Sequence, residues 1–272
     1  MAGEEGKIDP MHQFEVQSIA DLSIGGYNLA FTNSALWMLI TLVVLWIFML
    51  GGMKRQLVPG RWQAAVEGVT GFISSMMTTN IGPEGRKFTP YVFSLFMFIL
   101  IANLLGMLPL GVFAPVAHGV PVADQITHPF TVTSHLTITG VLAIVSFGLV
   151  LAVGFARHGF HFLSLFVPHG APWWMLPILI PVEFVSFMVR PFSLGLRLFV
   201  AMTAGHILLK VLGGFVINGM NAGAAWVVPV VSLPSFILMV GISALELLVA
   251  VIQAYVFALL TSLYLNDAVN LH

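Results

Sequence analysis

Six ionisable side chains interrupt two long apolar stretches near the end of this sequence. Glu183, Arg190, Arg197, His206 and Lys210 lie in the first stretch and Glu246 in the second, where Gln253 follows seven residues on. Arginine keeps its proton in a protein, so Arg197 is a fixed positive charge, whereas histidine and carboxylates take up and release protons. Within membranes, histidine and carboxylate are the usual proton relays. A relay interrupted by a fixed cation is what an ion path in two separated halves requires. An arginine at the centre of a membrane helix costs about 2.5–3.5 kcal/mol on insertion scales, so such a residue faces protein or a water-filled path. Arg190 and Lys210 also have a blander reading, in which a long side chain reaches back to an interface. Arg197, in the middle of Ser193-Leu194-Gly195-Leu196-Arg197-Leu198-Phe199, would need too long a reach.

Helical spacing groups these residues. Glu183, Arg190 and Arg197 follow one another at intervals of seven, so they share a stripe that drifts by only about 20° per step. His206 stands nine residues beyond Arg197, on the opposite face of the same helix. Glu246 and Gln253 form a second polar stripe. In a hairpin turning near Asn221, His206 lies 15 residues before the turn and Glu246 25 after it, so pairing them requires a stagger.

The elements that position them are membrane helices. Of the 272 residues, 58% are hydrophobic and 8% charged, against about 25% charged in soluble domains. A net charge of −1 argues against a nucleic-acid partner, and the absence of cysteine excludes disulfides, iron–sulfur clusters and zinc–thiolate sites. No metal or cofactor is expected. The polar, acidic start, with Glu4, Glu5, Asp9, Glu15 and Asp21, does not have the basic start and short apolar run of a cleaved signal peptide and is expected to be retained.

About 20 apolar residues cross a bilayer. Upright spans are expected over 35–52, 90–110 and 131–155, with an amphipathic stretch from Trp62 to Met77 lying on the membrane surface. The link 111–130 is rich in proline and glycine and carries Asp124. The apolar run 178–217 would make a helix of about 60 Å, and 234–265 one of about 48 Å. Neither fits as an upright span. Either both helices break, or they form a steeply inclined antiparallel hairpin, with Pro191 the place for a bend and Asn218-Gly219-Met220-Asn221-Ala222-Gly223 the turn; the inclined hairpin is favoured. Lys54, Arg55, Arg61, Arg86, Lys87 and Arg157 put their loops inside and the N-terminus outside by the positive-inside rule. The expected fold is an all-α polytopic membrane protein with about five crossings. It divides into a polar segment 1–34, upright spans over 35–157 with an interfacial segment 54–87, and a channel region 158–272.

Pro191-Phe192-Ser193-Leu194-Gly195-Leu196-Arg197-Leu198-Phe199, with Ala204-Gly205-His206, resembles the signature of subunit a of F-type ATP synthases. Glu246-Leu247-Leu248-Val249-Ala250-Val251-Ile252-Gln253-Ala254-Tyr255-Val256-Phe257 is similar to that family's last helix, and Asn103-Leu104-Leu105-Gly106-Met107-Leu108-Pro109 to its second span. The resemblance implies a proton-translocating stator subunit beside a rotating ring of c subunits, with b-type peripheral stalk subunits and the rest of the synthase as partners. It implies no catalytic centre in the chain itself. It places Arg197 as the essential arginine between two offset half-channels, His206, Glu246 and Gln253 in the outer one and Glu183 in the inner one. Many bacterial relatives carry Glu and His where this chain has His206 and Glu246. Where many carry acids, this chain has Asn103 and, near Thr133-Ser134, His135; Asn103, Ser134 and His135 complete the outer-channel candidates. His158 and His161 read as interface residues. The implied location is the bacterial inner membrane, with the mitochondrial inner membrane as the alternative. The His–Glu pair favours protons over sodium.

Two other classes fit less well. A secondary transporter would use Glu183 and Glu246 as proton-coupling groups, but an inverted repeat is missing and two helices are over-long. A haem or metal enzyme would need facing axial histidines, for which His135 and His206 are the available pair, and nothing in the spacing demands it.

If Arg190 and Lys210 reach an interface, Arg190→Ala and Lys210→Ala leave ATP-driven proton pumping in inverted vesicles far closer to normal than Arg197→Ala does. Equal losses in all three would show that the polar stripe has been misassigned.

Overall fold

Hydrocarbon offers no partner to a peptide group, so a chain this apolar closes its backbone hydrogen bonds inside helices. The computed structural model describes residues 18–20, 23–24, 27–28, 30–52, 58–108, 131–166, 173–221 and 226–270. Through these run α1 (Asn33–Gly52), α2 (Arg61–Ile81), α3 (Thr89–Met107), α4 (Leu136–His158), α5 (Leu176–Asn221) and α6 (Leu233–Val269). Asn33–Gly52, Thr89–Met107, Leu136–Phe162, Leu176–Asn221 and Val228–Val269 are each long and apolar enough to cross a membrane. The protein is an all-α polytopic membrane protein. Ahead of α1 the described residues form short strands: Ser18–Ala20 pairs with Phe31–Thr32, and Ser23–Ile24 with Tyr27–Asn28, both antiparallel. The acidic residues of the N-terminal segment, Lys54, Arg55 and the link 111–130 with Asp124 lie outside the described residues.

Two expected boundaries move. The third span, expected from Thr131, is preceded by a tight turn over Thr131–His135 with a 3-10 helix at Val132–Ser134, and α4 starts at Leu136. Hydroxyl chemistry explains the shift: the Ser134 hydroxyl donates to Thr131 O at 2.6 Å, an alternative to the helical ladder that serine and threonine often take. Helix α5 also runs past Asn218, where the turn is expected to begin, to Asn221, and the rest of that expected turn, Ala222 and Gly223, lies outside the described residues. Near the end of α5, Val216 O accepts from the Ser232 hydroxyl at 3.3 Å. Ser232 closes a five-residue π turn, Val228–Ser232, that leads into α6.

Helix α5 has 46 residues and α6 has 37, about 69 Å and 56 Å of helix. Both exceed the roughly 30 Å hydrocarbon layer. Pro181 and Pro191 lie inside α5, which continues through them.

The chain divides into two compact units. One comprises Met1–Ile40, Ala102–His135 and Phe199–Ile252; the other comprises Thr41–Ile101, Leu136–Leu198 and Gln253–His272. In the second unit, α2 buries a stripe of Gln63, Val66, Ile73, Met76, Met77 and Ile81, the spacing of an amphipathic helix. The Trp62 indole N–H donates to Phe48 O at 2.8 Å, and the Asn80 amide donates to the Ser262 hydroxyl at 2.7 Å. Phe72 meets the rings of Phe96 and Tyr255. Glu84 pairs with Arg157 in an exposed position, where such a pair contributes about 0–1 kcal/mol. Phe187 is buried, with the Phe147 ring 5.0 Å and the Phe162 ring 6.3 Å away.

Between lipid-embedded helices hydrophobic attraction is weak, and close backbone approach takes its place. Gly195 supplies that approach between α5 and α4. A Cβ there would stand 3.2 Å from Thr139 O and 3.4 Å from Gly140 Cα, whereas a Cβ on Gly140 would meet nothing within 4 Å. Gly195→Leu should therefore force α4 and α5 apart and destabilise the protein by about 1–3 kcal/mol or more, while Gly140→Ala is tolerated. Thermal unfolding of the purified membrane complex checks this; equal melting temperatures for Gly195→Leu and the parent would refute it.

Candidate functional site

In the first unit the site is built from α3, the Thr131–His135 turn, α5 and α6. His206 stands 15 residues before the end of α5 and Glu246 18 residues after Val228, where helical structure resumes. The two residues thus stand at similar distances from the facing ends of their helical segments. His206 Nδ1 lies 2.5 Å from Glu246 Oε1 and 3.0 Å from Met202 O. Both partners of Nδ1 are acceptors, so a proton sits either on this nitrogen or on the facing carboxyl. The contact is possible because residue 205 is glycine: a Cβ there would lie 2.7 Å from Glu246 Oε1. Glu246 is 3% exposed, and its Oε2 has no hydrogen-bond partner among the described residues. Burying an ionised carboxylate is costly unless it is paired, and His206 supplies the pair.

The other ring nitrogen, Nε2, lies 2.8 Å from the Thr131 hydroxyl and 3.3 Å from Gly106 O. With a proton it donates to either oxygen; bare, it accepts from the hydroxyl. The imidazole is therefore satisfied in both its singly and doubly protonated forms, which is the property a relay needs.

Asn103, wholly buried on α3, accepts from the Thr133 hydroxyl at 2.7 Å and donates to Ala250 O of α6 at 3.2 Å. Ser134 is buried, with its hydroxyl on Thr131 O, and its own carbonyl accepts from the Thr203 hydroxyl of α5 at 3.3 Å. His135 is half-buried at the end of this turn. The turn, α3, α5 and α6 are thus tied together through side chains whose chemistry suits a polar path in lipid.

The second unit holds the remaining candidates. Arg197 on α5 is exposed and has no ion pair among the described residues. Glu183 on α5 and Gln253 on α6 are half-buried. Arg190 has a partner within the chain. It donates to Asp267 at 2.8 Å, with its guanidinium 5.3 Å from the Phe187 ring centre and 5.1 Å from that of Tyr264. Its charge is neutralised, and it ties α5 to the end of α6. Half-buried His158 lies 3.3 Å from Val269 O, and His161 is exposed.

Residues 35–266 match the ATP synthase A chain family. The chain belongs to that family. It is 69% identical over 274 residues to the ATP synthase subunit a of Rhizorhabdus wittichii, covering all of both chains. It is 70% identical over 273 residues to that of Sphingopyxis alaskensis, again over all of both. To that of Rhodospirillum rubrum it is 43% identical over 264 residues, covering 97% of this chain and 99% of the other. Sequence reasoning did not single out Thr131, Thr133 and Gly106, which the structure places against His206 and Asn103. Gly106 and Gly205 stand out in the sequence only as parts of motifs; a glycine adjacent to a buried titratable residue is the signal that could have found Gly205.

His206 and Glu246 should be energetically coupled. His206→Ala and Glu246→Ala each leave the other group unpaired, so the double variant should be less destabilised than the sum by more than the roughly 0.3–0.5 kcal/mol scatter of independent sites. Thermal unfolding of the purified complex for both singles and the double measures this, and strict additivity would show that the two do not act as a pair.

Proposed function

We propose that this chain is the proton-translocating stator subunit of an F-type ATP synthase, providing two offset half-channels to a rotating c-ring. Family membership over residues 35–266 carries the reading, and the chemistry of the site supports it. His206 and Glu246 take and pass protons in the outer half-channel, with Gln253, Asn103, Ser134 and His135 lining it. Glu183 serves the inner half-channel. It precedes Arg197 by 14 residues, about 21 Å of helix. Arg197 stands between the halves as a charge that never leaves, facing the ring carboxylates and preventing protons from short-circuiting the path.

The chain works within the synthase complex, against the c-ring and b-type peripheral stalk subunits, in the bacterial inner membrane. Segment 1–34 lies outside, 35–157 supplies the upright spans, and 158–272 is the channel region. The positive residues Arg61, Arg86, Lys87 and Arg157 support this orientation.

Arg197→Ala should abolish ATP synthesis driven by a proton gradient while the complex still assembles. Arg197→Lys should fail too, because an ammonium lacks the planar fork and loses its proton when desolvated. Vesicles carrying either variant that still couple a proton gradient to synthesis would overturn the assignment.

A further inference from the structure

We infer that Thr131 is a member of the proton relay: its hydroxyl hands protons to His206 Nε2, and Gly106 lacks a side chain so that the hydroxyl can reach the ring. The inference rests on the proposed His206–Glu246 path and extends it by one group. Thr131 is 4% exposed, so a polar side chain has been taken out of solvent. Its hydroxyl sits 2.8 Å from Nε2, within ordinary hydrogen-bond distance. The second oxygen near Nε2, Gly106 O at 3.3 Å, is a peptide carbonyl, which accepts a hydrogen bond but has no proton to give. Of the two neighbours, only the hydroxyl can both give and take.

The position is prepared from two sides. The Ser134 hydroxyl fixes the Thr131 carbonyl at 2.6 Å, which orients the residue. A Cβ on Gly106 would collide with Thr131, standing 2.7 Å from its Cγ2 and 2.8 Å from its Cβ. Glycine at 106 therefore leaves the space that Thr131 fills. Beyond the ring, Nδ1 meets Glu246 Oε1 at 2.5 Å. Hydroxyl, imidazole and carboxylate thus form one line.

One passage balances as follows. Protonated water on the outer side gives a proton to Thr131 Oγ1 as the original hydroxyl hydrogen moves to Nε2, leaving threonine unchanged and the ring an imidazolium. The Nδ1 hydrogen then moves to the Glu246 carboxylate. The ring is left neutral with its proton on Nε2, and one proton has reached Glu246.

The test compares Thr131→Val, which keeps the shape and removes the hydroxyl, with Thr131→Ser, which keeps the hydroxyl. Both are placed in the assembled synthase in inverted vesicles, and ATP-driven proton pumping is measured. Thr131→Val should lose at least about tenfold in pumping rate, the lower end of what a positioned proton-transfer group contributes, while Thr131→Ser keeps most of it. Normal pumping in Thr131→Val, or a serine variant worse than the valine one, would overturn the relay role and leave Thr131 a packing residue. Gly106→Ala keeps the hydroxyl but displaces it and should also slow pumping; it carries the test alone if Thr131→Val fails to assemble, and normal pumping in it would then count against the inference. Glu246→Gln separates the two levels of the proposal. If it pumps normally, the His206–Glu246 path itself is wrong; if it stops pumping while Thr131→Val does not, only the added member is wrong.

Discussion

A group that carries charge or needs a hydrogen bond cannot leave its partner in water when it enters hydrocarbon. It has to find that partner in protein, at a cost of several kcal/mol if it does not. This requirement organises the polar interior of the chain. His206 pairs with Glu246, Asp267 pairs with Arg190, and Asn103 joins Thr133 to Ala250. Each of these links is also a tie between elements far apart in sequence, so meeting the polar requirement and assembling the helices are one process.

Small residues make those meetings possible. In the first unit Gly205 admits the Glu246 carboxyl and Gly106 admits Thr131, and in the second Gly195 lets α5 lie against α4. Interhelical hydrogen bonds in membranes contribute only about 0.6 kcal/mol on average, with a maximum near 1.7. Bonds that weak need close and fixed geometry to count. The glycines supply the closeness, and the β-branched and hydroxyl residues of the Thr131–His135 turn supply the fixity.

The two arginines of α5 illustrate opposite uses of a permanent cation. Arg190 is neutralised by Asp267 and flanked by two aromatic faces, which favour a desolvated guanidinium. Its charge is used up inside the chain. Arg197 is exposed and has no ion pair among the described residues, so its charge is directed outward. A stator that must hold a carboxylate on a moving partner needs the second kind of arginine, and this contrast supports the role proposed for Arg197.

Much of this is legible in the residues alone. Apolar run lengths mark the five candidate spans, because hydrocarbon thickness sets a length that can be counted along the chain. The buried ionisable residues stand out for the same reason, since lipid makes them costly wherever they lie. Motif resemblance gathers Arg197, His206, Glu246 and Gln253 into one reading. Pairing across the fold is another matter. Arg190 stays open between a charge of the polar stripe and an interfacial side chain until Asp267, 77 residues away, is found beside it. The His206–Glu246 contact is not legible either, because it depends on where the two helices end and begin, at Asn221 and Leu233. Thr131 is invisible as a site residue because a threonine near a span's start is ordinary, and only the approach of α5 puts its hydroxyl against an imidazole. The sequence by itself determined which groups lipid would force to find partners and how long the helices must be. Only the tertiary structure decided which partner each group found, because side-chain contacts of a few ångströms depend on helix end-points and close approach, neither of which is encoded locally.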